Sequence, residues 1–229
     1  MDKVALIVGA GPGLGASLAR TFAQAGYDVA LASRRSGSLP ELCAEIGAKH
    51  YVCDASEVES VKALFHQVDT DLGPPDLVVY NAGAYMRGPI ADLDLDLVRA
   101  TLSVNGWGAL VVAQAAARRM IARGSGTMLF TGASAGLKGF AQSAPFAMGK
   151  FALRGLCQSL ARELAPKNIH VAHVVLDGVI LWPDRGGPYA NPDTTLHPDE
   201  VARTYLELSR QHKSAWTYEI ELRPNVETF

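Results

Sequence analysis

The sequence predicts an α/β protein with one Rossmann-type, doubly wound sheet of about seven parallel strands and helices on both of its faces. Short runs rich in Val, Ile and Leu alternate with longer helical patterns over nearly all of the 229 residues, which is typical of successive βαβ units. Most of these runs are continuously apolar, as expected for strands that are buried on both faces. We therefore predict a single domain over residues 1–229.

Seven strands follow from the apolar runs, in chain order. They are predicted at Val4–Val8, Asp28–Ala32, His50–Cys53, Leu77–Tyr80, Thr127–Thr131, Ile169–Leu176 and Tyr218–Leu222. Right-handed crossovers reverse the strand order between the first and fourth strands, so we expect a ligand crevice there.

Six helices are predicted between the strands. They begin near Leu14, Leu39, Glu57, Leu95, Ser143 and Pro198. The fourth is predicted as one long helix whose buried face includes Val104, Gly108, Val111 and Ala115, because these residues recur at helical spacing. Residues 180–198 contain four prolines and no periodicity, which predicts a long loop that acts as a lid over the crevice.

Composition limits the choice of partners and compartment. The net charge is −2 and only 19% of residues are charged, which argues against nucleic acid and anionic membranes as partners. The three cysteines are widely spaced, so neither a disulfide framework nor a metal site is expected, and a reducing cytoplasm fits best. Low charge and two long apolar helices predict self-association.

A glycine-rich loop links the first strand to the first helix. Gly9, Gly11, Gly13 and Gly15 surround Leu14, where the helical pattern begins. Glycines at these places permit a tight turn and let the backbone approach a pyrophosphate, which the amides at the helix N-terminus attract. The alternative is a strand-to-helix turn that binds nothing.

The end of the second strand indicates which coenzyme would bind. An acidic residue there would hold a ribose hydroxyl and indicate NAD, but the sequence is Ser33-Arg34-Arg35. Forked guanidinium groups match a 2′-phosphate, so NADP is favoured over NAD. The alternative is that both arginines are solvated loop charges.

Together these motifs resemble the short-chain dehydrogenase/reductase family along nearly the whole chain. Gly9, Gly13 and Gly15 are similar to its TGxxxGxG loop. The resemblance implies that Asp54 holds the adenine and that Gly178 and Ile180 line the nicotinamide. It further implies a dimer or tetramer. The family's NNAG motif, which steadies the sheet, corresponds to Asn81, Ala82 and Gly83 after Tyr80.

The catalytic tetrad implied by the resemblance is incomplete. Asn105 and Lys150 match the family's Asn and Lys, and Lys150 is expected to hold the nicotinamide ribose. Phe146 stands at the position of the catalytic Tyr, and Ala133 at that of the Ser. Because Phe has no exchangeable proton, ordinary carbonyl reduction should be nearly abolished unless another group substitutes.

Three hydroxyl groups are candidate substitutes. Ser134 follows the position of the family Ser, Ser143 lies three residues before Phe146, and Tyr85 follows the Asn-Ala-Gly turn. Ser143 is also well placed to cap the helix that begins there, which we favour. Tyr85 is equally consistent with packing.

Two functions remain open from the sequence. The first is an NADP(H)-dependent oxidoreductase that acts on a small carbonyl, an alcohol or an activated alkene, with a hydroxyl group or a water near Lys150 as proton donor. The second is a catalytically inactive NADP(H)-binding sensor or scaffold. The retained Lys150 and Asn105 favour the enzyme, whereas Phe146 and Ala133 favour the binding protein.

Overall fold

A seven-stranded parallel sheet lies at the centre of the protein, in a computed structural model that describes residues 3–37 and 39–227. The strands are β1 (Lys3–Val8), β2 (Tyr27–Ser33), β3 (Lys49–Val52), β4 (Leu77–Tyr80), β5 (Gly126–Thr131), β6 (Ile169–Leu176) and β7 (Glu219–Leu222). Their order is β3-β2-β1-β4-β5-β6-β7. Each predicted strand is present, and its ends differ from the prediction by at most one residue. The order reverses between β1 and β4, as predicted.

Helices cover both faces of the sheet. Within the described residues they are α1 (Leu14–Gln24), α2 (Leu39–Ile46), α3 (Val58–Asp71), α4 (Leu95–Leu102), α5 (Ala109–Arg123), α6 (Ala144–Leu164) and α7 (Pro198–Ser209). One face packs Phe65 of α3, Met120 of α5 and Leu153 of α6 into a buried cluster. The other packs Phe22 of α1 and Tyr205 of α7. Burial on both sides explains the continuously apolar strands.

The predicted fourth helix is interrupted, so that prediction is wrong in one respect. A π-helical turn over Ser103–Gly108 separates α4 from α5 and inserts an extra residue. Gly108 is fully enclosed, and a Cβ there would lie 2.7 Å from the Ala55 carbonyl oxygen. After the turn the buried face moves one position along the chain. It consists of Ala109, Val112, Ala113, Ala116 and Met120.

The loop at 180–198 is folded back on itself. Ile180 and Leu196 form an isolated parallel bridge at its base, and the Leu181 amide donates to the Leu196 carbonyl at 2.9 Å. Three short 3₁₀ turns lie between these ends. The amide of Trp182 donates to the Tyr189 carbonyl at 2.7 Å. Hydrogen bonds within the loop therefore hold it in a compact conformation beside the carboxyl ends of the strands.

Candidate functional site

Three connected clefts lie along the carboxyl edge of the sheet, where the strand order reverses. We call them the basic cleft, lined by Arg34 and Arg35, the glycine cleft, lined by Gly13, and the aromatic cleft, lined by Phe146. Gly83 lines all three. The predicted crevice is therefore present, and it extends from β2 across the sheet to β6.

At the base of the glycine cleft, the backbone of the glycine loop lies against the backbone that follows β4. Gly9 has a φ of +93°, and a Cβ there would lie 2.2 Å from the Ala82 nitrogen. Gly13 has a φ of +80° and precedes α1. No side chain caps α1 and no acidic residue lies in its first turn, so its N-terminal amides face an open cleft suited to an anion.

Of the remaining residues predicted for the glycine cleft, three line it and one does not. Leu14, Gly15 and Ile180 line it. Gly11 lines none of the three clefts, and no atom lies within 4 Å of a Cβ placed on it. Its role is to continue the turn, since its carbonyl accepts the Ala16 amide at 2.9 Å.

Arg185, in the loop at 180–198, was not predicted from the sequence as a site residue. Trp182 and Arg185 line the glycine cleft opposite Gly13. The Arg185 guanidinium lies 3.9 Å from the centre of the Tyr189 ring, which holds it over the cleft. The sequence signal that could have identified it is a cationic residue between two aromatic residues, in a loop already predicted to be a lid.

The basic cleft carries two exposed guanidinium groups. Neither the Arg34 nor the Arg35 guanidinium makes a hydrogen bond or close ion pair with the described residues, and both residues line the cleft. Ser33 lies beside them, but its hydroxyl donates to the Arg35 carbonyl at 2.6 Å. Ser33 therefore shapes the loop that presents the two guanidinium groups.

Asp54 is at the opposite wall of the basic cleft. Its Oδ1 accepts hydrogen bonds from the amide and the hydroxyl of Ser56, at 3.0 and 2.7 Å. Partial burial opposes ionisation, but these bonds and the nearby Arg34 hold the pKa of Asp54 below its ordinary value. Asp54 is thus an ionised hydrogen-bond acceptor across from the two arginines.

Asn81 joins the glycine loop to β5. Its Nδ2 donates to the Gly9 carbonyl at 3.1 Å, and its Oδ1 accepts the Thr131 hydroxyl at 3.0 Å. Thr131 is also paired with the Tyr205 hydroxyl at 2.8 Å. The expected steadying of the sheet by the Asn81-Ala82-Gly83 turn therefore has a specific basis in side-chain hydrogen bonds.

Lys150 projects from α6 to the inner end of the aromatic cleft. Its side chain is buried, and its Nζ donates to the Thr131 carbonyl at 2.9 Å. Burial removes the ammonium from water and lowers its pKa to about 8. No carboxylate lies within 4 Å of Nζ among residues 3–37 and 39–227, so the charge is not neutralised by an ion pair.

Aromatic rings form one wall of this cleft. The Phe146 ring lies 5.7 Å from Lys150 Nζ, and the Tyr85 ring meets it edge-on at 5.0 Å. Tyr85 is 63% exposed. Ala133 and Ser134 line the same cleft, which has a volume of about 710 Å³.

Ser143 does not cap α6, contrary to the reading we favoured. It occupies the position before Ala144, but its side chain makes no capping hydrogen bond. Its φ and ψ of −114° and 18° differ from the extended conformation that lets a hydroxyl reach the first helical amides. Ser143 is buried and lines the aromatic cleft.

Asn105 is buried in the π-helical turn behind the cleft. Its Nδ2 donates to the Ala84 carbonyl at 2.8 Å, and its Oδ1 accepts the Ala84 amide at 3.0 Å. This pairing satisfies a buried amide that would otherwise be costly. It also fixes the chain between Gly83 and Tyr85, so Asn105 positions one wall of the aromatic cleft.

Asp177 and Gly178 complete the aromatic cleft at the end of β6. The Asp177 carboxylate lies 3.2 Å from Arg223 Nη2. No group of three or more metal-ligating side chains occurs in the described part of the chain. Within the same residues, no helix has the length and apolar content that crossing a bilayer requires.

The fold and the clefts define a class of protein. A parallel sheet with a glycine loop at its switch point and a basic pocket at the end of β2 is an α/β dinucleotide-binding architecture. The chain belongs to the short-chain dehydrogenase family, which it matches over residues 3–180.

Individual relatives resemble the whole chain. Sorbitol-6-phosphate 2-dehydrogenase of Escherichia coli (strain K12) is 31% identical over 217 residues, covering 90% of this chain and 84% of the relative. A short-chain dehydrogenase structure from Rhodopseudomonas palustris is 36% identical with a TM-score of 0.85, covering 97% and 98% of the two chains. A metagenomic short-chain oxidoreductase in complex with NADP is 27% identical with a TM-score of 0.86, covering 98% of each chain.

Proposed function

We propose that the protein is an NADP(H)-dependent oxidoreductase acting on a small carbonyl, an alcohol or an activated alkene. The observation that carries this proposal is the continuity of the three clefts at Gly83. A coenzyme that extends from the arginines over the glycine loop would end beside Lys150 and the aromatic cleft. When bound, NADPH supplies the two electrons and the hydrogen of a hydride.

The residues present fit this coenzyme. The close approach of Gly9 to Ala82 leaves no side chain between the backbone and the glycine cleft. The guanidinium groups of Arg34 and Arg35 make no hydrogen bond with the described residues and offer forked donors to a 2′-phosphate. Arg185 would add positive charge over the pyrophosphate when the loop at 180–198 covers the site as a lid. The NADP complex of a relative with the same fold supports this choice.

Exchanging both arginines should reverse the coenzyme preference. In Arg34→Ala/Arg35→Ala, NADPH affinity should fall about 10²-fold or more, since a hydrogen bond to a charged group is worth roughly 1.5–3 kcal/mol. NADH affinity should change by less than about threefold, because NADH has no 2′-phosphate. Calorimetric titration of both coenzymes measures the two constants. Arg210 is exposed and lines none of the three clefts, so Arg210→Ala is the matched control. An equal loss of both coenzymes would contradict the assignment.

The proposal includes a degenerate catalytic tetrad. Phe146 and Ala133 line the aromatic cleft at the positions where the family resemblance implies Tyr and Ser. The side chains that line the cleft near these positions include Lys150 and the hydroxyls of Ser134, Ser143 and Tyr85. Carbonyl reduction should therefore be slow and should depend on a proton donor other than a phenol at position 146.

We further propose that the chain forms a homodimer or homotetramer through α4, α5 and α6. Large apolar side chains on these helices and on the π-helical turn are exposed to solvent. They are Leu97, Trp107, Leu110, Met148 and Phe151. Exposed apolar residues at such density favour a protein–protein contact.

Sedimentation tests this assembly. The wild-type protein should sediment as a dimer or tetramer at micromolar concentration, and Trp107→Glu/Phe151→Glu should sediment as a monomer, because two buried unpaired charges would oppose association. Val52→Glu places a charge on an exposed apolar residue of the edge strand β3 and is the control. A monomeric wild-type protein would refute the assembly.

The cytoplasm remains our proposed location. Cys43, Cys53 and Cys157 are all unpaired. Burial raises the pKa of each of these thiols, which keeps them protonated and unreactive. Three unpaired cysteines suit a reducing compartment.

A further inference from the structure

Lys150 is the one ammonium group at the inner end of the aromatic cleft within the described residues. The proposed function leaves the source of the proton open, because Phe146 has none to give. We propose that Lys150 is itself the general acid that protonates the substrate oxygen, directly or through one water. This inference rests on the proposed function and assigns a catalytic part to a residue otherwise expected to hold the coenzyme ribose.

The hydrogen bonds of Lys150 leave protons available. An ammonium carries three N–H donors and no acceptor, and the protein engages one of them through the Thr131 carbonyl at 2.9 Å. That carbonyl belongs to a residue whose hydroxyl is held by Asn81 and Tyr205. Nζ is therefore fixed by a rigid partner, and two of its N–H groups have no protein acceptor within the described chain.

The path from Nζ to the aromatic cleft is open. A Cβ placed on Gly83 would lie 3.8 Å from Nζ, so the glycine leaves free the side of the ammonium that faces the three clefts. The Phe146 ring borders Nζ at 5.7 Å but has no polar atom that competes for its protons. The cleft volume of about 710 Å³ holds a small substrate together with a bridging water.

The three hydroxyl candidates fit the part less well. Tyr85 is 63% exposed and meets Phe146 edge-on, so it lies toward the mouth of the cleft. Ser134 and Ser143 line the cleft, but no histidine lines it beside them to exchange the proton. A serine hydroxyl without such a partner donates a hydrogen bond and retains its proton.

The surroundings of Lys150 favour release of a proton near neutral pH. The titratable groups that interact electrostatically with Lys150 are Cys157 on α6 and His173 on β6. The Asp177 carboxylate at the end of β6 lines the same cleft but is paired with Arg223. Burial dominates and lowers the pKa of Lys150 to about 8. An acid with a pKa near the working pH is the most effective in proton transfer.

The step is balanced with the coenzyme as reductant. The substrate carbonyl carbon accepts a hydride, the C=O π pair moves to oxygen, and that oxygen takes a proton from Nζ. The products are an alcohol, NADP⁺ and a neutral Lys150 amine. Solvent water then returns a proton to the amine.

The test is the pH profile of Lys150→Arg with NADPH and a small ketone. In the wild-type protein, kcat/KM should be level below pH 8 and should fall tenfold per pH unit above it. Arginine keeps the cation but does not release its proton, so Lys150→Arg should lose about 10²- to 10⁴-fold in kcat/KM and the limb near pH 8. Calorimetry should show NADPH affinity within about tenfold of wild type, which separates acid catalysis from coenzyme binding.

Lys150→Met is the second variant, in case arginine does not fit the buried position. Added methylammonium should raise the activity of Lys150→Met at least tenfold over its activity without amine. Amines of other pKa should raise it in proportion to their acidity. Wild-type activity in Lys150→Arg would overturn the assignment of Lys150 as the general acid but not the proposed function. The same holds if amines do not rescue a folded Lys150→Met that binds NADPH. A wild-type protein that binds NADPH but reduces no acceptor would overturn the proposed function as well.

Discussion

Phe146→Tyr/Ala133→Ser should raise the reduction of a small ketone by NADPH about 10²- to 10³-fold above the wild-type rate. A restored hydroxyl donor for the developing oxyanion is worth about this factor, and a phenol at position 146 would add a second proton donor beside Lys150. The site is otherwise in place, because Lys150 Nζ lies 5.7 Å from the ring that would carry the new phenol. The same coenzyme and substrate concentrations should be used for both proteins in an absorbance assay of NADPH oxidation.

Phe140→Tyr is the matched control for this gain. Phe140 lines the same aromatic cleft and is 44% exposed, so it receives the same chemical change away from Lys150. It should leave the rate within about twofold of wild type. If the double variant binds NADPH and gains nothing, the aromatic cleft does not hold a reacting carbonyl, and the sensor or scaffold reading is favoured.

Gly9→Ala should be the most damaging single methyl addition in the glycine loop. The added Cβ would lie 2.2 Å from the Ala82 nitrogen, and the residue has a φ of +93°. The left-handed backbone costs roughly 1–2 kcal/mol and overpacking about 1–3 kcal/mol. The free energy of unfolding should therefore fall by about 2–5 kcal/mol in a urea titration without coenzyme.

Gly11→Ala is the control, two residues away in the same loop. Nothing lies within 4 Å of its added Cβ, so its free energy of unfolding should stay within about 0.5 kcal/mol of wild type. Equal destabilisation by the two substitutions would mean that the contact of Gly9 with Ala82 does not control the loop. NADPH binding should also be lost in Gly9→Ala, because the loop must move to accommodate the methyl group.

The sheet was predictable because burial of a strand on both faces produces a local pattern in the sequence. Runs such as Val4–Val8 and Ile169–Leu176 are apolar without alternation, and helical patterns between them require parallel crossovers. The glycines of the loop after β1 were predictable for a similar reason, because a tight turn of the backbone itself requires them. The strand order and the position of the crevice followed from these local signals.

Contacts between distant segments were not predictable in the same way. The π-helical turn at Ser103–Gly108 depends on the enclosure of Gly108 against Ala55, which no local periodicity shows. The Thr131 carbonyl that holds Lys150 lies 19 residues away on another element. Ser143 has the residue type of a helix cap, but its backbone angles prevent it from acting as one.

If the glycine loop and the two arginines bind NADP(H), calorimetric titration of the wild-type protein with NADPH should give one site per chain with a micromolar dissociation constant. NADH should bind at least tenfold more weakly. No heat from either coenzyme at millimolar concentration would contradict this prediction.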